Sequence, residues 1–158
     1  MTNTKIRFFN SNVNAVLLYG SETWRNTKTT MKKVQTFING CLRTILRIHW
    51  PEIISNMELW ERTGQLAAED EIKRRKWRWI GHTLRKTPTT ITRQALTWNP
   101  QGKRKRGRPR NSWRRDLPGG RPWEIGFTWN GIERLAQDRE RWQDAVDGLC
   151  PQRANRHK

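Results

Sequence analysis

The sequence predicts a mainly α protein: a small helical bundle, a basic mobile linker and a C-terminal helix. Three observations carry that expectation. Apolar residues recur every three or four positions in several separate runs, no sheet-forming pattern is evident, and capping and stop residues flank the runs. Only 34% of the 158 residues are apolar, so the core is expected to be small and discontinuous, split between two packed lobes with a loose middle.

The elements follow in order. Ile6, Phe9, Val13, Val16 and Leu17 place one apolar stripe on a helix that Gly20 can terminate, and residues 21–24 read as a turn. The strongest periodicity follows in Met31, Val34, Ile38, Cys41, Ile45 and Ile48, widened by Phe37 and Leu42, until Pro51 stops it. Ser55 with Glu58 three residues on forms a capping box for a short helix of Met57, Leu59 and Trp60, closed by Gly64. A fourth helix is predicted over 66–86. Its acidic start at Glu69, Asp70 and Glu71 and its basic end suit the helix dipole, with Ile72, Trp79, Ile80 and Thr83 on the packed face. Residues 87–111 lose periodicity among Pro88, Pro100, Gly102, Gly107 and Pro109 and read as linker, with one turn or short strand around 91–98. A short helix from Ser112 is cut off by Pro118, Gly119, Gly120 and Pro122. The last helix opens at Thr128 or Asn130 and buries Ile132, Leu135, Ala136, Trp142, Val146 and Leu149 before a polar tail from Pro151. The domain reading is 1–86 bundle, 87–111 linker, 112–150 C-terminal helical segment and 151–158 tail.

Charge points to the partner. From Lys73 to Arg115 there are 16 Lys and Arg and no Asp or Glu, which supplies +16 of the net +18. Side chains so crowded repel one another unless a dense anion lies alongside, and the usual dense anion is a phosphate backbone. Ten tryptophans against one tyrosine and four phenylalanines either anchor the core as large indoles or stack on a partner. Two cysteines and no apolar run of about 20 residues argue against a disulfide scaffold and a membrane span, and no apolar signal segment opens the chain. The expectation is a reduced, intracellular protein without a membrane partner.

Two motifs sharpen this. In Lys103, Arg104, Lys105, Arg106, Gly107, Arg108, Pro109 and Arg110, the centre Arg106-Gly107-Arg108-Pro109-Arg110 matches an AT-hook core. Gly107 and Pro109 hold an extended backbone without central bulk, so the arginines can lie along the narrow, negative minor groove of A·T-rich DNA. The same residues can serve as a nuclear-import signal, or be a solvated basic linker. The run Lys73, Arg74, Arg75, Lys76, Trp77, Arg78, Trp79 interleaves cations with indoles on a predicted helix. A 3.6-residue period cannot put both tryptophans on one face; Trp79 is assigned to the core and Trp77 to partner contact.

Catalysis by these residues is not expected. Two-metal phosphoryl transfer needs convergent carboxylates, whereas residues 69–71 fan around a helix start. Glu52 followed by Glu71-Ile72-Lys73 only loosely imitates restriction-nuclease spacing, and on helices rather than strands. His49, His82, His157, Cys41 and Cys150 show no ligand spacing. No catalytic residue, metal or cofactor is assigned.

Five blocks in order resemble the C-terminal part of reverse transcriptases from non-LTR (LINE-type) retrotransposons. They are Leu17-Leu18-Tyr19-Gly20-Ser21-Glu22-Thr23-Trp24; Cys41-Leu42-Arg43 with Ile45-Leu46-Arg47-Ile48; Arg74-Arg75 leading to Trp79-Ile80-Gly81-His82-Thr83-Leu84-Arg85; Gly102 to Trp113; and Leu135-Ala136-Gln137-Asp138-Arg139 with Trp142. The resemblance implies that the first helices are a polymerase thumb, gripping primer and template, and the rest a C-terminal extension. It implies catalytic aspartates, with their Mg, in an upstream palm and fingers that these residues do not include, so the sequence looks like a truncated reading frame. It departs from the family at Leu117-Pro118-Gly119-Gly120-Arg121-Pro122-Trp123 and lacks the zinc knuckle of some relatives.

The expected function is therefore nucleic-acid binding without chemistry. Lys32, Lys33, Arg43 and Arg47 would lie beside a duplex, and residues 73–115, including Arg114 and Arg115, would add phosphate contacts. Expected partners are RNA and DNA, as RNA–DNA hybrid or A·T-rich duplex; the resemblance implies a nuclear location, or a cytoplasmic ribonucleoprotein before import. The rival expectation is a free-standing AT-hook protein that needs only residues 103–110.

Overall fold

A computed structural model describes residues 2–24, 26–98 and 128–149. The protein is mainly α, with no strand among the described residues. In chain order come α1 (Thr2–Phe8), a π-helical turn (Phe9–Asn14), α2 (Ala15–Leu17), a 3₁₀ turn (Ser21–Thr23), α3 (Lys28–Leu46), α4 (Asn56–Thr63), α5 (Ala68–Leu84), α6 (Ile91–Thr97), α7 (Trp129–Gln137) and α8 (Arg139–Leu149). They fall into two compact units whose boundary follows Arg74, inside α5. Residues 99–111 of the predicted 87–111 linker, the predicted helix from Ser112 and the predicted tail from Pro151 lie outside the described residues.

In the first unit the apolar stripe of α1 begins as its spacing predicts, with Ile6 and Phe9 buried, but Val13 and Val16 are exposed and Leu18 is buried instead. The π-helical turn explains the change, since its wider winding rotates every later residue off the 3.6-residue register. On α3, Met31, Ile38 and Leu42 are buried, as is Ile48 just beyond it, and they gather with Phe9, Ile54, Leu59 and Ala68 in one core. Leu18, Met31 and Ile72 form a second cluster.

Helix ends are fixed by local chemistry. Thr27 Oγ1 accepts from Thr30 N (3.1 Å) at the start of α3. The helix ends at Leu46, five residues before Pro51; beyond it Arg47 turns left-handed (φ 58°), Arg47 N–H donates to Thr44 O (3.1 Å) and Ile48 N–H to Arg43 O (3.0 Å). These two bonds make a Schellman closure with arginine at the position glycine usually takes. Gly64 (φ 62°) closes α4 in the same way. Ser55 Oγ accepts from Glu58 N (3.1 Å), completing half of the predicted capping box, while the Glu58 carboxylate instead accepts from Arg62 Nη2 (2.7 Å).

A buried polar chain ties these helices together. Asn39, 4% exposed, accepts at Oδ1 from both Gln35 Nε2 (2.9 Å) and Trp60 Nε1 (2.9 Å), and Gln35 Oε1 accepts from Ala68 N (2.7 Å), the first amide of α5. One oxygen thus joins α3 to α4, and the same glutamine caps α5.

In the second unit Trp77, Ile80, Leu84, Leu96, Ile132, Ala136, Trp142 and Val146 are buried. Trp77 and Trp142 meet edge to face, centroids 6.0 Å apart at 62°. Gly81 lets that indole approach, because an added Cβ would lie 2.6 Å from Trp142 Cδ1 and nearer still to Cε2 and Nε1. The single predicted C-terminal helix is two. Thr128 Oγ1 caps α7 (Gly131 N, 3.2 Å), but Asp138 leaves the helical region (φ −89°, ψ 110°) and its Oδ1 accepts from Glu140 N and Arg141 N (3.1 Å each), opening α8. Residues 91–98, read as a turn or short strand, contain α6. Only Leu96 of that helix is buried, so it has no apolar stripe to detect; Arg93 anchors it by donating to Leu84 O (2.7 Å) and Lys86 O (2.6 Å).

Asn39→Leu strands the Trp60 and Gln35 donors and is expected to cost about 1–3 kcal/mol, with the Asn39→Leu/Trp60→Phe double variant losing less than the sum of the singles in urea unfolding. Gly81→Ala is expected to destabilise by about 1–3 kcal/mol through overpacking, and by much less in a Trp142→Leu background; equal losses in both backgrounds would remove the indole from the account.

Candidate nucleic-acid interface

The cationic stretch from Lys73 to Arg115 divides into a helical half and a half that lies outside the described residues. The AT-hook-like core, Lys103, Arg104, Lys105, Arg106, Gly107, Arg108, Pro109 and Arg110, and also Arg114 and Arg115, belong to the second. In the helical half many of the charges are engaged by the fold. Lys76 has no exposed surface and Arg74 is 7% exposed. Lys73 Nζ pairs with Glu69 (3.3 Å) and Asp70 (3.8 Å) one turn back. Arg85 Nη1 donates to Ala136 O (3.0 Å), where Gln137 returns a bond to Leu84 O (3.2 Å), and Arg93 holds the end of α5. Arg75 is half-buried and Arg78 exposed.

This corrects two expectations. Lys76 and Arg74 are not on an open cationic face, because the turn that carries them buries most of its circumference. The division of the indoles is also reversed: Trp77 is 2% exposed and Trp79 half-buried. Trp77, Ile80 and Leu84 lie at i, i+3 and i+7, so the face that meets Trp142 includes Trp77, whereas Trp79 lies about 200° around the helix from it. Burial withdraws Trp77 from partner contact.

Among the described residues the exposed indoles are Trp50 and Trp98, which periodicity did not select. Trp98 follows α6, five positions before Lys103. Trp50 sits in a turn closed by Glu52 N–H donating to His49 O (2.9 Å), between buried Ile48 and Ile54. A tryptophan standing outside any apolar stripe was the available signal for both.

On α3 and its C-terminal cap the predicted residues divide too. Lys32, Lys33 and Arg47 are exposed. Arg43 is half-buried, and its Nη2 donates to Asn56 Oδ1 (2.7 Å) at the start of α4. Lys33 lies in the first half of α3 and Arg47 at its left-handed C-cap. The described residues of 1–51 carry only one carboxylate, Glu22.

Among the described residues no group of three or more His, Cys, Asp or Glu side chains could hold a metal ion, and no helix is long and apolar enough to cross a membrane. No protein-family model matches the chain, and neither a curated protein nor a solved structure matches it.

Arg47 offers a direct separation of fold from binding. A non-glycine residue in the left-handed region costs about 1–2 kcal/mol, so Arg47→Gly is expected to raise the melting temperature while weakening binding to an RNA–DNA hybrid. Higher stability with unchanged binding would remove Arg47 from the interface.

Proposed function

We propose that this chain binds nucleic acid and performs no chemistry on it, acting as the thumb and C-terminal extension of a LINE-type reverse transcriptase (an RNA-directed DNA polymerase) act on primer, template and target DNA. The observation that carries the reading is the charge distribution: +16 within 43 residues lacking a single carboxylate, with α3 adding exposed Lys32 and Lys33 and its cap Arg47. The order of the five sequence blocks supplies the comparison with reverse transcriptases, and the helical architecture is compatible with it.

The mechanism is electrostatic. Lysine and arginine displace the counterions condensed on a phosphate backbone, and the entropy of their release drives association with little sequence preference. Lys32, Lys33 and Arg47 would follow one strand of a duplex. The 103–115 cations would contact further phosphates, and Arg106 and Arg108 would enter a minor groove, where the negative potential is strongest in A·T-rich DNA. Exposed Trp98 can stack on a base next to that segment. In a parent polymerase, the palm and its Mg ions would supply the chemistry.

One observation favours a second reading, an AT-hook protein whose binding resides in residues 103–110. The helical half of the cationic stretch is largely engaged by its own fold, and the eight residues 103–110 alone hold six of the stretch's Lys and Arg.

Binding of residues 1–158 to an RNA–DNA hybrid, an A·T-rich duplex and a G·C-rich duplex across salt separates the two. With about six to ten phosphates contacted, affinity should fall ~10³- to 10⁵-fold between about 50 and 200 mM salt. The thumb-like reading expects the hybrid to bind at least as well as both duplexes, and Arg106→Ala/Arg108→Ala to lose only part of the affinity. Binding confined to the A·T-rich duplex and abolished by that variant establishes the AT-hook reading, and a flat salt response overturns both.

A further inference from the structure

The first unit contains a feature that phosphate binding does not use. Between α1 with its π-helical turn and α3 runs an open groove of about 710 Å³, with walls from Phe8, Val13, Phe37, Cys41 and Ile45 and Lys5 at its edge. Phe8 is 64%, Phe37 50% and Val13 41% exposed. Its floor is open at Gly40, where an added Cβ would meet nothing within 4 Å. The π-helical turn that rotated Val13 out of the core turned it into this groove.

The charges around the groove define what fits. Lys33, Phe37, Gly40 and Thr44 succeed one another on α3 at spacings of four and three, Arg47 follows as its left-handed C-cap, and all five are exposed. Along α3 a cation thus stands at each end of an apolar or small centre, about 20 Å apart at 1.5 Å per residue. Residues 1–51 hold eight Lys and Arg against the single Glu22, so a second copy of this chain, at +18, would bring like charge to like charge. A phosphate backbone satisfies the ends but gains nothing from the apolar middle.

We propose that this groove receives one face of an amphipathic helix from a partner protein, apolar at its centre and acidic at both ends. Leucine-like side chains at i, i+3 or i+4 and i+7 would enter beside Phe37 and over Gly40, and terminal carboxylates would pair with Lys33 and Arg47. The proposal does not depend on nucleic-acid binding, although a bound helix and a duplex would share Lys33 and Arg47.

The test uses a synthetic helical peptide of about four turns, with leucines every three or four residues and two glutamates at each end. Its controls are the same peptide ending in lysines, and polyglutamate of equal length. Fluorescence anisotropy with residues 1–158 should show saturable binding of the acid-ended peptide only, weakened at least tenfold by Gly40→Trp, which fills the floor, and by Thr44→Glu, which repels the partner without filling it. In a Cys150→Ser chain the peptide should slow maleimide labelling of Cys41, a readout confined to the groove. Equal binding of polyglutamate, indifference to both substitutions, unprotected Cys41 or no binding overturns the proposal. So does a dimer of the chain that Gly40→Trp dissolves, because the occupant would then be a second copy.

Discussion

The Asn39 side-chain oxygen, accepting from Gln35 and Trp60 at the junction of α3 and α4, is the point on which the first unit depends. Apolar packing is tolerant of small slips between helices, whereas an indole N–H and an amide N–H converging on one acceptor allow a single register. Gln35 extends that constraint, since its own oxygen receives the first amide of α5. The start of α5 is therefore set by a residue on α3.

Burial along α5 decides which of its cations remain for a partner. A helix with five Lys and Arg between Lys73 and Arg78 cannot expose them all once it packs on more than one side. Lys76 and Arg74 are buried, Lys73 is paired along its own helix, and Arg85 and Arg93 bond carbonyl groups at helix ends, where the dipole favours positive charge. Cationic density in sequence and cationic density in space thus differ. Of the cations the sequence singled out, Lys32, Lys33, Arg47 and Arg78 are exposed, whereas Arg74 and Lys76 in the centre of the α5 run are buried.

The surface of α3 is also not of one kind. Cations at its two ends are separated by Phe37, Gly40 and Thr44, so a polyanion can use the ends and an apolar ligand the middle. The π-helical turn has a part in this, because a regular helix over residues 9–14 would have kept Val13 in the stripe with Phe9.

The amino-acid sequence by itself determined the helical class, the positions of α3, α4 and α5 to within a few residues, and the caps at Ser55, Gly64 and Thr128. All of these rest on interactions between residues at most five apart. It also determined the charge imbalance, which is composition. What only the tertiary structure decided involves partners distant in the chain. Trp77 rather than Trp79 is buried because Trp142 waits opposite Gly81; α6 exists because Arg93 reaches the end of α5 and Leu96 a buried site; and Asn39, a polar residue within a helix, lies in the core because Trp60 and Gln35 satisfy it. The break at Asp138 is an intermediate case: the aspartate that caps α8 was visible, but the apolar stripe continued through it and masked the turn. Local propensity and spacing are read along one helix at a time, and burial of a cation or an indole is settled by the helix that packs across from it.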